Sequence, residues 1–413
     1  MSPSPAEERA NRSNQRNALL AGFLGWTLDA FDFFVLTFVL APIAKEFHLD
    51  VAHIALAITA SLATRPIGAF IFGLLADRYG RRLPLMLDIL FYSAVEVASG
   101  FAPNFTVFLI LRLLYGIGMG GEWGVGASLA LESVPAKWRG LLSGLLQEGY
   151  ALGYLLAAVA YWTVFPHWGW RALFFLGGAP ALLTLFIRAK VKESDAWLAT
   201  RGERHDWWEY AREVFANLRR FLYLVILMAA VNFISHGTQD LYPTFLQQQR
   251  GFSPKLTSII TVVSMVGAIC GGLAVGLLSD RWGRRRSMAA ALLGGIALIP
   301  LWVFAPSFAW ILIGAFTLQF MVQGAWGVIP AHINELSPDR LRGFFPGFAY
   351  QLGVLIASPL PTIQAHVAQR IGYASTMAAS ATTVLIFGAI VILSGPEAHR
   401  IKFGRSPDSA TTP

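Results

Sequence analysis

Long apolar runs separated by short polar breaks recur from one end of this chain of 413 residues to the other. A helix needs roughly 20 mainly apolar residues to cross a bilayer. About twelve runs approach or reach that length, near 18–43, 53–76, 84–101, 106–131, 140–165, 171–190, 220–246, 256–279, 287–305, 308–333, 343–366 and 371–394. Pro and Gly occur freely inside them, which lipid-embedded helices tolerate. The longest break, Lys190 to Arg220, is dense in charge and holds Trp197, Trp207 and Trp208. It predicts a linker with one or two helices lying on the membrane surface. The pattern divides the chain into an N-terminal tail (1–17), a six-helix bundle (18–190), a linker with an interfacial helix (191–219), a second six-helix bundle (220–394) and a C-terminal tail (395–413).

The two bundles repeat one another. Gly73-Leu74-Leu75-Ala76-Asp77-Arg78-Tyr79-Gly80-Arg81-Arg82 returns 203 residues later as Gly276-Leu277-Leu278-Ser279-Asp280-Arg281-Trp282-Gly283-Arg284-Arg285. At the same displacement Glu132, Pro135, Arg139 and Gly140 become Glu335, Pro338, Arg342 and Gly343. A period this long joins halves of a duplicated domain rather than units of a solenoid. Between membrane-crossing runs it points to a transporter built from two similar bundles. The expected fold is therefore all-α and integral to the membrane, with twelve transmembrane helices in two pseudo-symmetric six-helix bundles.

Composition agrees: 55% of residues are hydrophobic and 14% charged, against about 25% charged in an ordinary soluble chain. The net charge of +8 does not indicate nucleic acid, because its distribution is one-sided. Of the 32 Lys and Arg, Arg65 and Arg112 lie inside runs, and Lys45, Arg171, Arg250, Lys255 and Arg370 fall on one side. The remaining 25 lie in the termini and alternate loops on the other side. This is the positive-inside bias, so both termini are expected in the cytoplasm and the protein in the cell (inner) membrane. Met1 to Asn17 is polar, so no cleaved leader is expected. The single Cys270 excludes an intrachain disulfide.

The duplicated Gly-Leu-Leu-Ala-Asp-Arg-Tyr-Gly-Arg-Arg segment resembles the loop motif of the major facilitator superfamily, placed between spans 2 and 3 and again between 8 and 9. Its carboxylate and guanidinium groups suit charge-assisted hydrogen bonds at helix ends. Asp77, Arg78, Arg81, Glu132 and Arg139, with Asp280, Arg281, Glu335 and Arg342, are expected to latch the cytoplasmic side in one state and release it in another.

Polar groups inside spans carry information about cargo, since they are costly there. Asp29 and Asp32 share a helical face of the first span. Two carboxylates in a low dielectric cannot both ionise cheaply, so at least one is a candidate proton carrier. Arg65 lies about 18 Å along its helix from Asp77, too deep to reach water on that side. A buried Arg needs an anion, either an internal carboxylate or one on the cargo. Arg112 opens Arg112-Leu-Leu-Tyr-Gly116-Ile-Gly118-Met-Gly120-Gly121, which resembles the fourth-span motif of proton-coupled facilitators. That resemblance implies that Arg112 pairs with a first-span Asp, leaving Arg65 for the cargo carboxylate, although the roles can be exchanged. Glu122 and Glu148 are further buried acids, with Glu148 the better candidate for proton coupling beside Asp29, Asp32 and Arg112.

The seventh span reads Asn232-Phe233-Ile234-Ser235-His236-Gly237-Thr238-Gln239-Asp240. Asn232, His236, Gln239 and Asp240 fall on one stripe of a helix. His and Asp four apart can share a proton, and Asn and Gln can bind a carboxylate or hydroxyl. The stretch is similar to the seventh-span motif of the fungal lactate–proton symporters, with Thr238 in place of Ser. With Asp29-Ala30-Phe31-Asp32-Phe33 and the loop motifs, the resemblance covers nearly the whole chain. It implies the sialate and lactate proton symporter family and a small monocarboxylate recognised by Asn232, His236, Gln239 and Asp240.

The repeat sets Asp29 against Asn232, Glu148 against Gln351 and Arg65 against Ala268. An asymmetric cavity follows, with charge mainly on the N-terminal wall and Gln351 on the other; Gln319 and Gln323 are weaker candidates for that wall. Trp123 and Trp326 also correspond, which reads more simply as packing. The chain is expected to be a symporter of protons and a lactate- or pyruvate-like acid, with protons as coupling ion and no other cofactor. Its partners are the acid, protons and the bilayer, and a monomer suits this architecture. Aromatic acids, dicarboxylates or sialic acids are rival cargoes, and a transporter-like carboxylate sensor is the rival class. A membrane enzyme is disfavoured, because no nucleophile–base or metal-ligand cluster stands at a catalytic spacing.

Overall fold

The computed structural model describes residues 5–49, 51–200, 207–398, 401 and 403, and among them every regular element is helical. Span 1 is Pro5–Phe38, followed by a short helix Leu40–Phe47; spans 2, 3 and 4 are Val51–Tyr79, Arg82–Gly100 and Phe105–Ser133. Spans 8, 9, 10 and 12 are Pro254–Trp282, Arg284–Val303, Phe308–Leu336 and Tyr373–Ser394.

The other four crossings are broken. Span 5 is Arg139–Gln147 and Gly149–Thr163, and span 6 is Phe165–Leu176 and Pro180–Lys190. Span 7 is Leu218–Gln239 and Tyr242–Gln248, and span 11 is Phe345–Ala357 and Leu360–Ile371. In spans 6, 7 and 11 the second helix carries Pro180, Pro243 or Pro361 in its first turn. There the missing N–H would be unsatisfied in any case, whereas within a continuous helix it would break the ladder. Among the described residues ten crossings are long and apolar enough to span by themselves, and the split spans 5 and 11 complete the twelve.

Three boundaries differ from the sequence expectation. The N-terminal tail is helical from Pro5 and continuous with span 1, and that helix stops at Phe38 instead of running to residue 43. Span 7 starts at Leu218. The linker contains two helices, Asp195–Thr200 and Trp207–Ala216. The second exposes Trp208 and Phe215, as a surface helix should, but Trp197 of the first is buried. Of the C-terminal tail, residues 399–400, 402 and 404–413 lie outside the described residues.

Large apolar side chains such as Val159, Leu182, Leu185, Ile226 and Ile390 stand on the outside of the helices, more than half exposed. An apolar exterior on this scale calls for lipid as its solvent. Inside each half the tightest seam is the same. A Cβ on Gly68 of span 2 would lie 1.6 Å from the carbonyl oxygen of Ile117 in span 4. Its repeat equivalent Gly271 of span 8 would meet the carbonyl of Phe320 in span 10 at 2.0 Å. Backbones that close need glycine.

The extensive contacts between halves run from the first helix of span 5 to spans 8 and 10, and from the first helix of span 11 to spans 2 and 4. Those helices begin at the side bearing the duplicated loop motif. Their continuations pack mainly against spans of their own half. The molecule is therefore closed at the motif side. Gly68→Ala and Gly271→Ala should each lower the melting temperature in detergent by several degrees, because a backbone must move; unchanged melting would contradict this packing.

Candidate functional site

The motif side is sealed by a reciprocal pair of carboxylates. Asp77 accepts hydrogen bonds from the backbone N–H of Gly343 at 2.7 Å and of Phe344 at 3.1 Å. Asp280 accepts from Gly140 at 2.8 Å and Leu141 at 3.0 Å. Each Asp thus caps the start of the helix that the other half sends across, where orphan N–H groups and the helix dipole favour an anion. Arg81 binds Asp77 at 2.8 Å and Glu132 at 3.0 Å, while Arg284 binds Asp280 at 2.8 Å and Glu335 at 2.9 Å. Two further pairs cross between halves: Arg139–Glu335 at 2.9 Å and Arg342–Glu132 at 3.7 Å. Arg342 also pairs with Asp339, so every guanidinium of the ring faces at least one carboxylate.

This geometry corrects one expectation. Arg281 is exposed, and the latch position in the second half belongs to Arg284, the repeat equivalent of Arg81. Arg78 is half-buried at the corresponding end of span 2. The linker also joins the latch instead of lying wholly on the membrane. Trp197 donates its indole N–H to the Asp77 carbonyl at 3.0 Å, and the Tyr210 hydroxyl donates to Asp77 Oδ2 at 3.0 Å. Burial, and then the neighbouring Asp77 charge, push the Tyr210 phenol up, which keeps it a donor. From the C-terminal tail, the Phe403 ring lies between the Arg139 and Arg342 guanidinium groups, 3.7 and 3.8 Å from its centroid. The Ile401 carbonyl accepts from Arg139 at 2.9 Å.

In the N-terminal half, Arg112 does not bond a first-span Asp as the resemblance implied. It donates to Glu96 of span 3 at 2.6 Å and to Ser99 at 2.6 Å, with the Tyr115 ring 4.4 Å from its guanidinium. Glu96 reaches it first because the two face each other across adjacent spans 3 and 4, both fully buried. Asp32 lies close by: a Cβ on Gly177 would stand 2.3 Å from Glu96 Cγ and 2.8 Å from Asp32 Oδ1. All four carboxyl oxygens of Asp29 and Asp32 are buried with no hydrogen-bond partner. Arg65 is 5% exposed, with Nε and Nη2 also lacking partners. Its charge reaches Asp29, Glu122, Tyr150 and Tyr350. Glu148 sits at the break in span 5 rather than inside one continuous helix, with Oε1 buried and unpartnered beside Gly272 of span 8.

The opposing wall is neutral except at one place. His236 Nδ1 and Asp240 Oδ2 are 2.8 Å apart and both partly exposed, at the end of the first helix of span 7. Gln239 donates to Gln319 at 3.1 Å, and Asn232 donates back to the Met228 carbonyl at 2.8 Å. Gln351 is buried with both amide atoms free of partners. Between the walls Tyr350 packs against Trp123 at 4.5 Å, Trp326 at 6.0 Å and Trp26 at 6.5 Å, and Tyr150 stacks on Trp26 at 5.6 Å. Trp123 and Trp326 are therefore part of one aromatic cluster drawn from both halves.

The sequence reading missed Glu96 and Asp88, both fully buried in span 3. Their signal was present: two acids eight residues apart within an apolar run share a helical face. It also missed Arg284 and Phe403. A cation–π contact contributes about 0.5–2 kcal/mol. Phe403→Ala should therefore favour opening of the motif side by about fivefold, read as increased labelling of a cysteine introduced at the inner face of that side; labelling as in the parent would remove Phe403 from the latch.

Comparison with known proteins agrees with the geometry. The Major Facilitator Superfamily model matches residues 22–361 and 233–410. The carboxylic acid transporter protein homolog of Saccharomyces cerevisiae is 30% identical over 419 residues, covering 92% of this chain and 68% of its own. The niacin transporter NiaP of Acinetobacter baylyi is 28% identical over 408 residues, covering 91% and 92%. The solved proton:xylose symporter XylE superposes with a TM-score of 0.74 over 95% of this chain and 98% of its own, and at 19% identity it speaks for the fold alone. With twelve crossings in two repeated halves and a family match along most of its length, the chain belongs to the Major Facilitator Superfamily and is a multi-pass membrane transporter, not an enzyme.

Proposed function

We propose that this transporter is a proton-coupled symporter of a small monocarboxylate of the lactate or pyruvate kind, working by alternating access. One observation carries the proposal: Arg65 keeps two buried nitrogens unpartnered while Asp29 and Asp32 keep four buried oxygens unpartnered in the same half. Buried charges left so are expensive, and a proton with an anion relieves both. The proton neutralises a carboxylate, and the carboxylate of the cargo takes up the guanidinium. Either ligand alone leaves the cavity unbalanced, which makes transport of one depend on the other.

The basic-residue bias assigns the motif side to the cytoplasm, so the closed latch corresponds to an outward-facing state. An acid entering from outside meets His236 and Asp240 near the mouth, then Gln239, Gln351 and Arg65. Protonation of Asp29, Asp32 or Glu148 accompanies its seating. The halves then rock about the site, and the latch on the cytoplasmic side opens. The S. cerevisiae relative, named for carboxylic acid transport, supports the cargo class.

A second reading has its own observation. The Trp26, Trp123, Tyr150, Tyr350 and Trp326 rings suit a flat unsaturated acid, and the niacin transporter among the relatives carries such a compound by name.

Proteoliposomes with an inward proton gradient should accumulate labelled L-lactate and lose it on addition of a protonophore. Gradient-independent uptake would contradict proton coupling, and lack of lactate counterflow with brisk nicotinate counterflow would select the second reading. Asp29→Asn should lower proton-driven accumulation by about tenfold or more; full accumulation by that variant would remove Asp29 from coupling.

A further inference from the structure

Coupling leaves a question of route: a proton taken up at Asp29 or Asp32 must still leave on the motif side. Span 3 enters from that side at Arg82, so Asp88 lies about 9 Å into it and Glu96 about 21 Å. Glu122 of span 4 lies about 16 Å in from Ser133 on the same side. Asp88 and Glu122 are fully buried, and none of their four carboxyl oxygens has a hydrogen-bond partner. Glu122 faces span 1 close to Asp29: a Cβ on Gly25, one turn before Asp29, would stand 2.2 Å from Glu122 Oε1.

Two independent features give this pair a use. The Tyr92 hydroxyl, also fully buried and unpartnered, lies one helical turn beyond Asp88 on the same face of span 3, where a Cβ on Gly118 of span 4 would stand 2.6 Å from its Cβ. A hydroxyl both donates and accepts, so it can pass a proton between carboxyl groups. Glu122 in turn lines a small cavity with Gly22, Trp26, Trp123, Leu146 and Pro330, of about 10 Å³, close to the space one water needs. Pro330 belongs to the other half, so this cavity lies at the seam that must part when the motif side opens.

The duplication supplies a control. At the displacement of 203 residues Asp88, Glu96, Arg112 and Glu122 become Ala291, Ile299, Ala315 and Ala325. All four are buried in the apolar core of the second half. The fold is therefore built without charge at these places, and charge in the first half calls for another reason.

We propose that Asp88 and Glu122, linked to Asp29 by the Tyr92 hydroxyl, form a proton-release site inside the N-terminal half that discharges at the seam between the halves, apart from the path of the cargo. Each transfer moves one proton from a carboxylic acid to a carboxylate, so donor and acceptor exchange charge and nothing else is consumed. Besides the groups named, Arg65 of span 2 and Arg112 and Tyr115 of span 4 face the cluster. Span 6 presents Thr184, its cations Arg188 and Lys190 being exposed at the motif end. The proposal rests on the proton-coupled reading above.

Asp88→Asn and Glu122→Gln test it. Net proton-driven lactate uptake, with internal acidification, should fall by about tenfold or more, while lactate counterflow, which needs no proton release, stays within about twofold. Asp88→Glu should restore net uptake, which a merely structural role would not require. Wild-type net uptake and acidification in both variants would overturn the proposal. Infrared difference spectra of the purified protein across a pH step need no cargo. Each substitution should remove a titrating carboxyl signal, and unchanged spectra would overturn the release site even if lactate proved to be the wrong acid.

Discussion

The state of this molecule depends on two carboxylates, each reaching across from one half to the first turn of a helix in the other. Asp77 on Gly343 and Phe344, and Asp280 on Gly140 and Leu141, are the same contact made twice by the duplication. A partly buried anion at a helix start contributes up to about 2 kcal/mol. Neither contact survives if the halves separate on that side. The surrounding Arg–Glu pairs tie them into one ring of opposite charges, so closing buries each of these charges beside a partner. The linker, through Trp197 and Tyr210, and the tail, through Phe403, rest on the same ring. Where the halves meet follows from this contact.

The chemistry is distributed in the opposite way. The halves share a backbone plan down to the Gly68 and Gly271 seams, yet away from the latch only the first, among the described residues, buries a series of acids with two guanidinium groups, Arg65 and Arg112. Such groups destabilise a core unless something offsets them. In the second half Ala268, Ala291, Ile299, Ala315 and Ala325 stand where these charges would be, and they pack as ordinary core. In the proposed cycle the first half is the titrating element, and the other supplies a polar but mostly neutral wall around His236 and Asp240. On that proposal, proton load and cargo sense each other through charge without competing for the same atoms.

Much of this was legible in the sequence. Hydropathy locates the twelve crossings, the displacement of 203 residues reveals the halves, and the spacing of Asp29 with Asp32 and of His236 with Asp240 puts them on shared faces. What was not legible has physical causes. Arg112 has several acids within reach, and only the packing of span 3 on span 4 selects Glu96 over the first-span Asp. The break at Glu148 has no proline to announce it. Trp197 reads as a membrane-surface anchor until the linker folds back on Asp77. Phe403 is one aromatic in a polar tail, and its place between two arginines from different halves exists only in three dimensions. Arg284 was available from the repeat, since Arg81 maps onto it directly.

The central claim is that anion and proton load the cavity together, and thermodynamic linkage makes this measurable without transport. Calorimetry of lactate binding to the detergent-solubilised protein near neutral pH, in two buffers of different ionisation enthalpy, counts the protons exchanged on binding. The account predicts that the heat depends on the buffer, in the direction of a proton taken up from it with each bound anion. Binding with the same heat in both buffers would mean that the anion seats without a proton, and would contradict it.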